Sequence, residues 1–120
     1  MDNPLKGEIS FNALGEVWTL RFNTAAWVMA ENEIGKPWSE IFDLLSGKGD
    51  PVSMGQALAL LHAGLLDNHA NLKRDQAFQI FDKIGYGHAV TKIAQAVAIS
   101  FQHHTTLPGD DEKKSETPTP

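Results

Sequence analysis

The feature that most constrains this chain is a change of apolar period at Asn23. Before it, Ile9, Phe11 and Ala13 alternate with Glu8, Ser10 and Asn12. After a break at Leu14-Gly15-Glu16, Trp18, Leu20 and Phe22 alternate with Val17, Thr19 and Arg21. A period of two places each apolar set on one face of a pleated strand, so residues 7–22 predict a β-hairpin. Gly15 supplies the positive φ that a tight reversal needs. A lone two-stranded sheet is marginal in water and must lie on helices or on another chain.

Beyond Asn23 the spacing is helical. Asn23 or Thr24 caps a helix to Ile34, with Trp27, Ala30 and Ile34 on one face and Gly35 as its stop. Pro37 suits the first turn of a second, short helix whose stripe is Trp38, Ile41, Phe42 and Leu45. Residues 47–51, with two glycines and a proline, read as a loop. Ser53 and Gln56 have the capping-box spacing ahead of a third helix to about Leu66. Asn71 is the expected cap of a fourth helix ending at Gly85, with Ala77, Phe78, Ile80, Phe81 and Ile84 on its buried side. A fifth, from about Gly87 to His103, carries Val90, Ile93, Ala94, Val97 and Phe101. No internal repeat appears at 20–50 residues. The expected fold is α+β: an N-terminal β-hairpin packed on a bundle of four to five helices, in one domain over residues 1–104. Residues 105–120 lose all apolar periodicity, run through Asp110-Asp111-Glu112-Lys113-Lys114 and end in Pro120, which predicts a flexible, disordered polar tail.

Composition removes several function classes. The chain has no cysteine, which excludes disulfides, thiolate catalysis and thiolate metal sites together. Ten Lys and Arg stand against 15 Asp and Glu, a formal charge of −5, and no segment gathers the cations into a patch, so no nucleic-acid partner is expected. The first residues lack the basic and apolar regions of a signal peptide. The strongest apolar run, Ala57 to Leu66, contains His62 and is too short to span a bilayer, so a soluble, cytoplasmic chain without a membrane partner is expected.

No motif supports catalysis or a cofactor. His62, His69, His88, His103 and His104 show no His-Glu-x-x-His pattern, and Asp67-Asn68 falls where the helix between His62 and His69 should end. Solvated or locally hydrogen-bonded imidazoles are the simpler reading, and no metal is expected. Glu31 and Glu33, two apart, point to different helix faces, and Asp110 to Glu112 lie in the tail, where nothing holds them for general acid–base work. The serines include no Gly-x-Ser-x-Gly elbow. Gly47-Lys48-Gly49 lacks the Walker spacing and the hydroxyl residue after Lys.

Particular residues in this order carry a resemblance. Asn3-Pro4-Leu5-Lys6-Gly7-Glu8 leads a hairpin ending in Thr19-Leu20-Arg21-Phe22. A helix then closes at Glu33-Ile34-Gly35-Lys36-Pro37, and the third helix holds Leu60-Leu61-His62-Ala63-Gly64-Leu65. Over about residues 3–102 the chain resembles the gene transfer agent and siphophage tail assembly chaperone-like family, which also bears the label of gene transfer agent tail tube protein. Trp27-Val28-Met29-Ala30-Glu31 departs from that family's leucine- and alanine-rich pattern and suggests a different local packing surface. The resemblance implies a non-enzymatic role in phage, prophage or gene transfer agent tail assembly. The implied partners are the tape measure protein, which such chaperones keep soluble, and the tail tube protein that polymerises around it. The alternative is a structural tube subunit retained in the virion. One hairpin supplies few strands for a closed tube, which favours the chaperone.

An interaction protein needs a surface. Trp18, Trp27 and Trp38 belong in a small core, although indole is also frequent at interface hot spots, and Met29 and Met54 are adaptable side chains. Ala57, Ala59, Ala63, Gly64, Ala94 and Ala98 on the third and fifth helices allow a partner backbone to approach closely. Gly64 in mid-helix needs an explanation, either such an approach or tolerance near a helix end. Leu58, Leu61, Leu65, Val90, Ile93, Val97 and Phe101 compete for one interior. The expected partner surface is therefore an apolar patch of several hundred Å² drawn from Trp18, Leu61, Gly64, Leu65, Ile93, Val97 and Phe101; the competing account buries them all in the domain's own core. The strand edges of residues 7–22 suggest self-association into an oligomer or addition of a partner strand.

Overall fold

The structure, a computed structural model, describes residues 7–47 and 50–105, with side chains through residue 102. Strands β1 (Glu8–Ala13) and β2 (Glu16–Arg21) precede five helices: α1 (Thr24–Ile34), α2 (Trp38–Leu45), α3 (Met54–Leu65), α4 (Arg74–Ile84) and α5 (Tyr86–Thr105). The architecture is α+β, a two-stranded antiparallel hairpin laid against a helical cluster. None of the described helices is long and apolar enough to cross a membrane. The predicted tail lies outside the described residues except for Thr105, which the helix takes in.

The hairpin follows its alternation. Ile9 pairs with Leu20 and Phe11 with Trp18, so the apolar residues of both strands share the face turned to the helices. The turn, however, needs two left-handed residues, Leu14 (φ 54°) and Gly15 (φ 77°). Both positive angles match the reversal to the twist of the strands. A leucine in that region is uncommon, and no residue pattern marks it. The Trp18 indole donates across the hairpin to the Ala13 carbonyl, 2.9 Å away, so burying this ring leaves its N–H satisfied.

Caps place most helix starts where the sequence puts them. Asn23 Oδ1 accepts from the Ala26 N–H at 2.9 Å, and Gly35 closes α1 in the left-handed region with its N–H on the Glu31 carbonyl. The Glu31 carboxylate then accepts the first N–H of α2, from Trp38, at 2.8 Å. Ser53 and Gln56 form the predicted reciprocal capping box. Two boundaries differ. Asn71 caps nothing: α4 starts at Arg74, where the Gln76 side chain accepts the Lys73 N–H. Helix α5 runs from Tyr86 to Thr105, beyond both expected ends.

Helix α3 is the centre of the molecule. Every residue from Ala57 to Leu65 is buried, because β2, α1, α4 and α5 surround it. A helix apolar on all sides can sit only in such a place. Gly64 shows how closely the hairpin fits: a Cβ built there would lie 2.8 Å from the Phe22 ring and 2.9 Å from Leu20 Cδ2. The close approach expected at Gly64 is real, but side chains of the same chain make it. At the other side of Phe22 a buried relay joins three elements. The Trp27 indole donates to Ser100 Oγ at 2.7 Å, and Ser100 donates to the Phe22 carbonyl. The aromatic contacts continue through Trp38 to Phe101, which stacks on Phe42 with centroids 4.0 Å apart.

Two stability predictions follow from these contacts. Gly64→Ala should lower the unfolding free energy by about 1–3 kcal/mol in urea titration, because overpacking against Phe22 outweighs the better helix propensity of Ala. A gain in stability would mean the glycine is merely tolerated. Ser100→Ala leaves the Trp27 N–H and the Phe22 carbonyl without their shared partner and should cost about 2 kcal/mol or more.

Candidate interaction surface

The patch expected from sequence is not on the surface. Leu61, Leu65, Ile93 and Val97 are fully buried, Trp18 and Gly64 are buried against the helices and the hairpin, and Phe101 is half-buried between Trp38 and Phe42. The physical reason is the central position of α3: its apolar residues have neighbours in every direction, so no surplus is left. Of the small residues, Ala57, Ala59 and Ala63 are buried, while Ala94 is half-buried and Ala98 exposed. Trp18 and Trp27 belong to the core, and Trp38 is half-buried.

A different apolar surface is present between α1 and the end of α3. Ala25, Ala26 and Met29 form one wall, and Ala63 and Leu66 the other, around a groove of about 320 Å³. Three of these five are alanines, so helical backbones come near the surface, and Met29 is the flexible member. Val28, one helical turn beyond Ala25, continues the apolar face of α1 outward and is 50% exposed. The groove's polar end is Asn23 and Asp67. Asp67 accepts from Asn23 Nδ2 at 2.8 Å and from Arg21 at 3.1 Å, which ties the chain after α3 to the start of α1 and the end of β2. Met29 was visible in sequence as an adaptable residue and Ala63 as a small one. That they face each other was not, since α1 and α3 are joined through a second helix and a loop.

Two histidines, His62 and His69, bond within the chain. His62 Nε2 lies 3.1 Å from the Leu72 carbonyl and so carries the proton, while its buried Nδ1 has no partner among the described residues. His69 Nε2 accepts the Thr19 N–H at 3.2 Å, and its ring lies against Trp18 with centroids 4.8 Å apart. Burial pushes the His69 pKa below its usual value, and Glu16 partly opposes that. The Thr19 amide, opposite Ser10 in the hairpin register, therefore turns outward to His69. At this point the β2 edge is already occupied by the chain's own side chain. Among the described residues no group of three or more His, Cys, Asp or Glu is arranged to hold a metal ion.

Comparison with protein-family models, with curated proteins and with solved structures finds no match to this chain.

Asp67 sits at the rim, and its side chain and that of Arg21 are both partly exposed. Exposed pairs of this kind contribute little. Asp67→Ala should cost less than about 1 kcal/mol in urea unfolding, and a substantially larger loss would show that the bridge holds the fold rather than trims the groove.

Proposed function

We propose that this chain is a non-enzymatic tail assembly protein, a chaperone that holds helical segments of a tape measure protein in the host cytoplasm while the tail tube protein polymerises. The observation that carries the reading is the groove between α1 and α3: apolar, shallow, walled by alanines and one methionine, and continued by the exposed Val28. Such a surface suits the apolar face of an amphipathic helix, whose backbone can come close only where the receiving side chains are small. A groove of this size gives weak single contacts. Several copies along one long target would supply the strength through avidity, and weak contacts let the target be released when the tube closes around it. The resemblance to the tail assembly chaperone-like family points to a tape measure segment as the partner, and the apolar, alanine-walled groove supports that reading.

Ala25→Asp and Met29→Asp test this reading. Ala25 lies in the first turn of α1 and is exposed, so an acid there is favourable to the helix dipole and should leave the melting temperature unchanged or slightly higher. Each variant should weaken binding to an amphipathic helical fragment of a tape measure protein by about tenfold or more in calorimetry, the cost of placing a charge against an apolar face. Folded variants that bind as well as the parent would overturn the assignment. Counting subunits in purified particles separates the chaperone, which should be absent, from a structural tube subunit, which should be stoichiometric.

A further inference from the structure

The chain between α3 and α4, residues 66–73, forms the end wall of the groove through Leu66 and Asp67. It is fastened to the rest of the molecule by side chains at three points. Asp67 holds Arg21 and Asn23. His69 accepts the Thr19 N–H from β2. The Leu72 carbonyl accepts from His62 of α3. Within the segment, the His69 N–H returns to the Leu65 carbonyl at 2.9 Å and the Leu72 N–H to the His69 carbonyl at 3.0 Å, so movement of His69 is transmitted in both directions.

Two of the three fastenings are imidazoles, and they require opposite tautomers. His69 accepts through Nε2 and must keep its proton on Nδ1, whereas His62 donates through Nε2 and leaves Nδ1 bare. Adding a proton therefore acts differently on each. A cationic His62 keeps its bond to Leu72 but places a new N–H where no acceptor is in reach among the described residues. A cationic His69 turns its only acceptor into a donor that faces the Thr19 donor, and that bond is lost.

We propose that His69 is a proton-operated latch: neutral, it pins the α3–α4 connection to the edge of β2; protonated, it lets go of Thr19 and loosens the connection behind the Leu66–Asp67 wall of the groove, which then stays tied through Asp67 and the His62–Leu72 bond alone. The charged groups around it are few. Glu16 of β2 acts on the ring and favours its cationic form. Arg21 of β2 and Asp67 of the connection are paired with one another. At the start of α4, Arg74 pairs with Glu33 of α1, with Lys73 and Asp75 on either side. His62 is the titratable group of α3 that faces the connection. Desolvation outweighs Glu16, so the folded ring holds its proton less tightly than the unfolded chain, whose value is near 6.5. The stabilising effect of the bond is then complete above that value and is lost as pH falls from it through the lower folded pKa. This concerns the chain alone and does not depend on what fills the groove.

The test is an NMR titration of the intact chain from about pH 8 to about pH 5, the range in which imidazole changes charge. The Thr19 amide resonance should move with the His69 ring, with a midpoint below the ordinary histidine value. Its hydrogen-exchange protection factor should fall about tenfold or more, as loss of one hydrogen bond implies. Amides of Ile9 and Leu20 should keep theirs, and the Met29 methyl signal in the groove should follow the same midpoint. His69→Gln offers an acceptor that does not titrate, and Thr19 should then stay protected to the bottom of the range. Thr19 protection that is unchanged across the His69 titration, or that falls in His69→Gln as it does in the parent, would overturn the latch. A Met29 methyl that ignores the titration while Thr19 responds would overturn its link to the groove.

Discussion

The structure depends on one contact, the seating of Leu20 and Phe22 of the hairpin against the glycine face of α3. A two-stranded sheet has too little surface of its own to be stable, and a helix buried along nine consecutive residues must be enclosed. Each element solves the problem of the other. Gly64 makes the fit possible, because any side chain there would fall within the Phe22 ring. From Phe22 the order spreads outward. Its carbonyl takes the Ser100 hydroxyl, Ser100 takes the Trp27 indole, and α1 and α5 are thereby joined to each other and to the end of the hairpin.

Most of the polar groups that this packing buries are matched within the chain, His62 Nδ1 being the exception among the described residues. Trp18 reaches Ala13, His62 reaches Leu72, and the Tyr86 hydroxyl reaches the Val52 carbonyl. What the packing leaves uncovered among the described residues is the shallow seam where α1 diverges from the end of α3 and five large apolar side chains: Val28 of α1, Leu14 and Val17 at the hairpin tip, Met54 at the start of α3, and Phe78 of α4, which the helical spacing had placed on the buried side.

The elements were largely legible in the chain. The period of two before Asn23, the cap at Asn23, the stop at Gly35, the Ser53 and Gln56 box and the break at Gly85 are local signals, and local hydrogen bonds answer them. The misreadings share a cause. Asn71 has the right side chain for a cap, but the Leu72 carbonyl is held by His62, and α4 begins only after it. Thr19 lies opposite Ser10 in the hairpin register, and its amide turns outward to a histidine fifty positions away. Leu14 took the left-handed place beside Gly15, where no propensity would have put it.

What the sequence determined by itself is the order and kind of the elements, since apolar period and capping chemistry act over three or four residues. What only the tertiary structure decided is which apolar residues remain available. Leu61, Leu65, Ile93 and Val97 form as strong a stripe as any docking face, and nothing within their own helices distinguishes a stripe turned inward from one left for a partner. The distinction arises from enclosure. With β2, α1, α4 and α5 all around α3, those residues became the core, and the groove fell to Ala25, Ala26, Met29, Ala63 and Leu66, small or flexible residues where α1 parts from the end of α3.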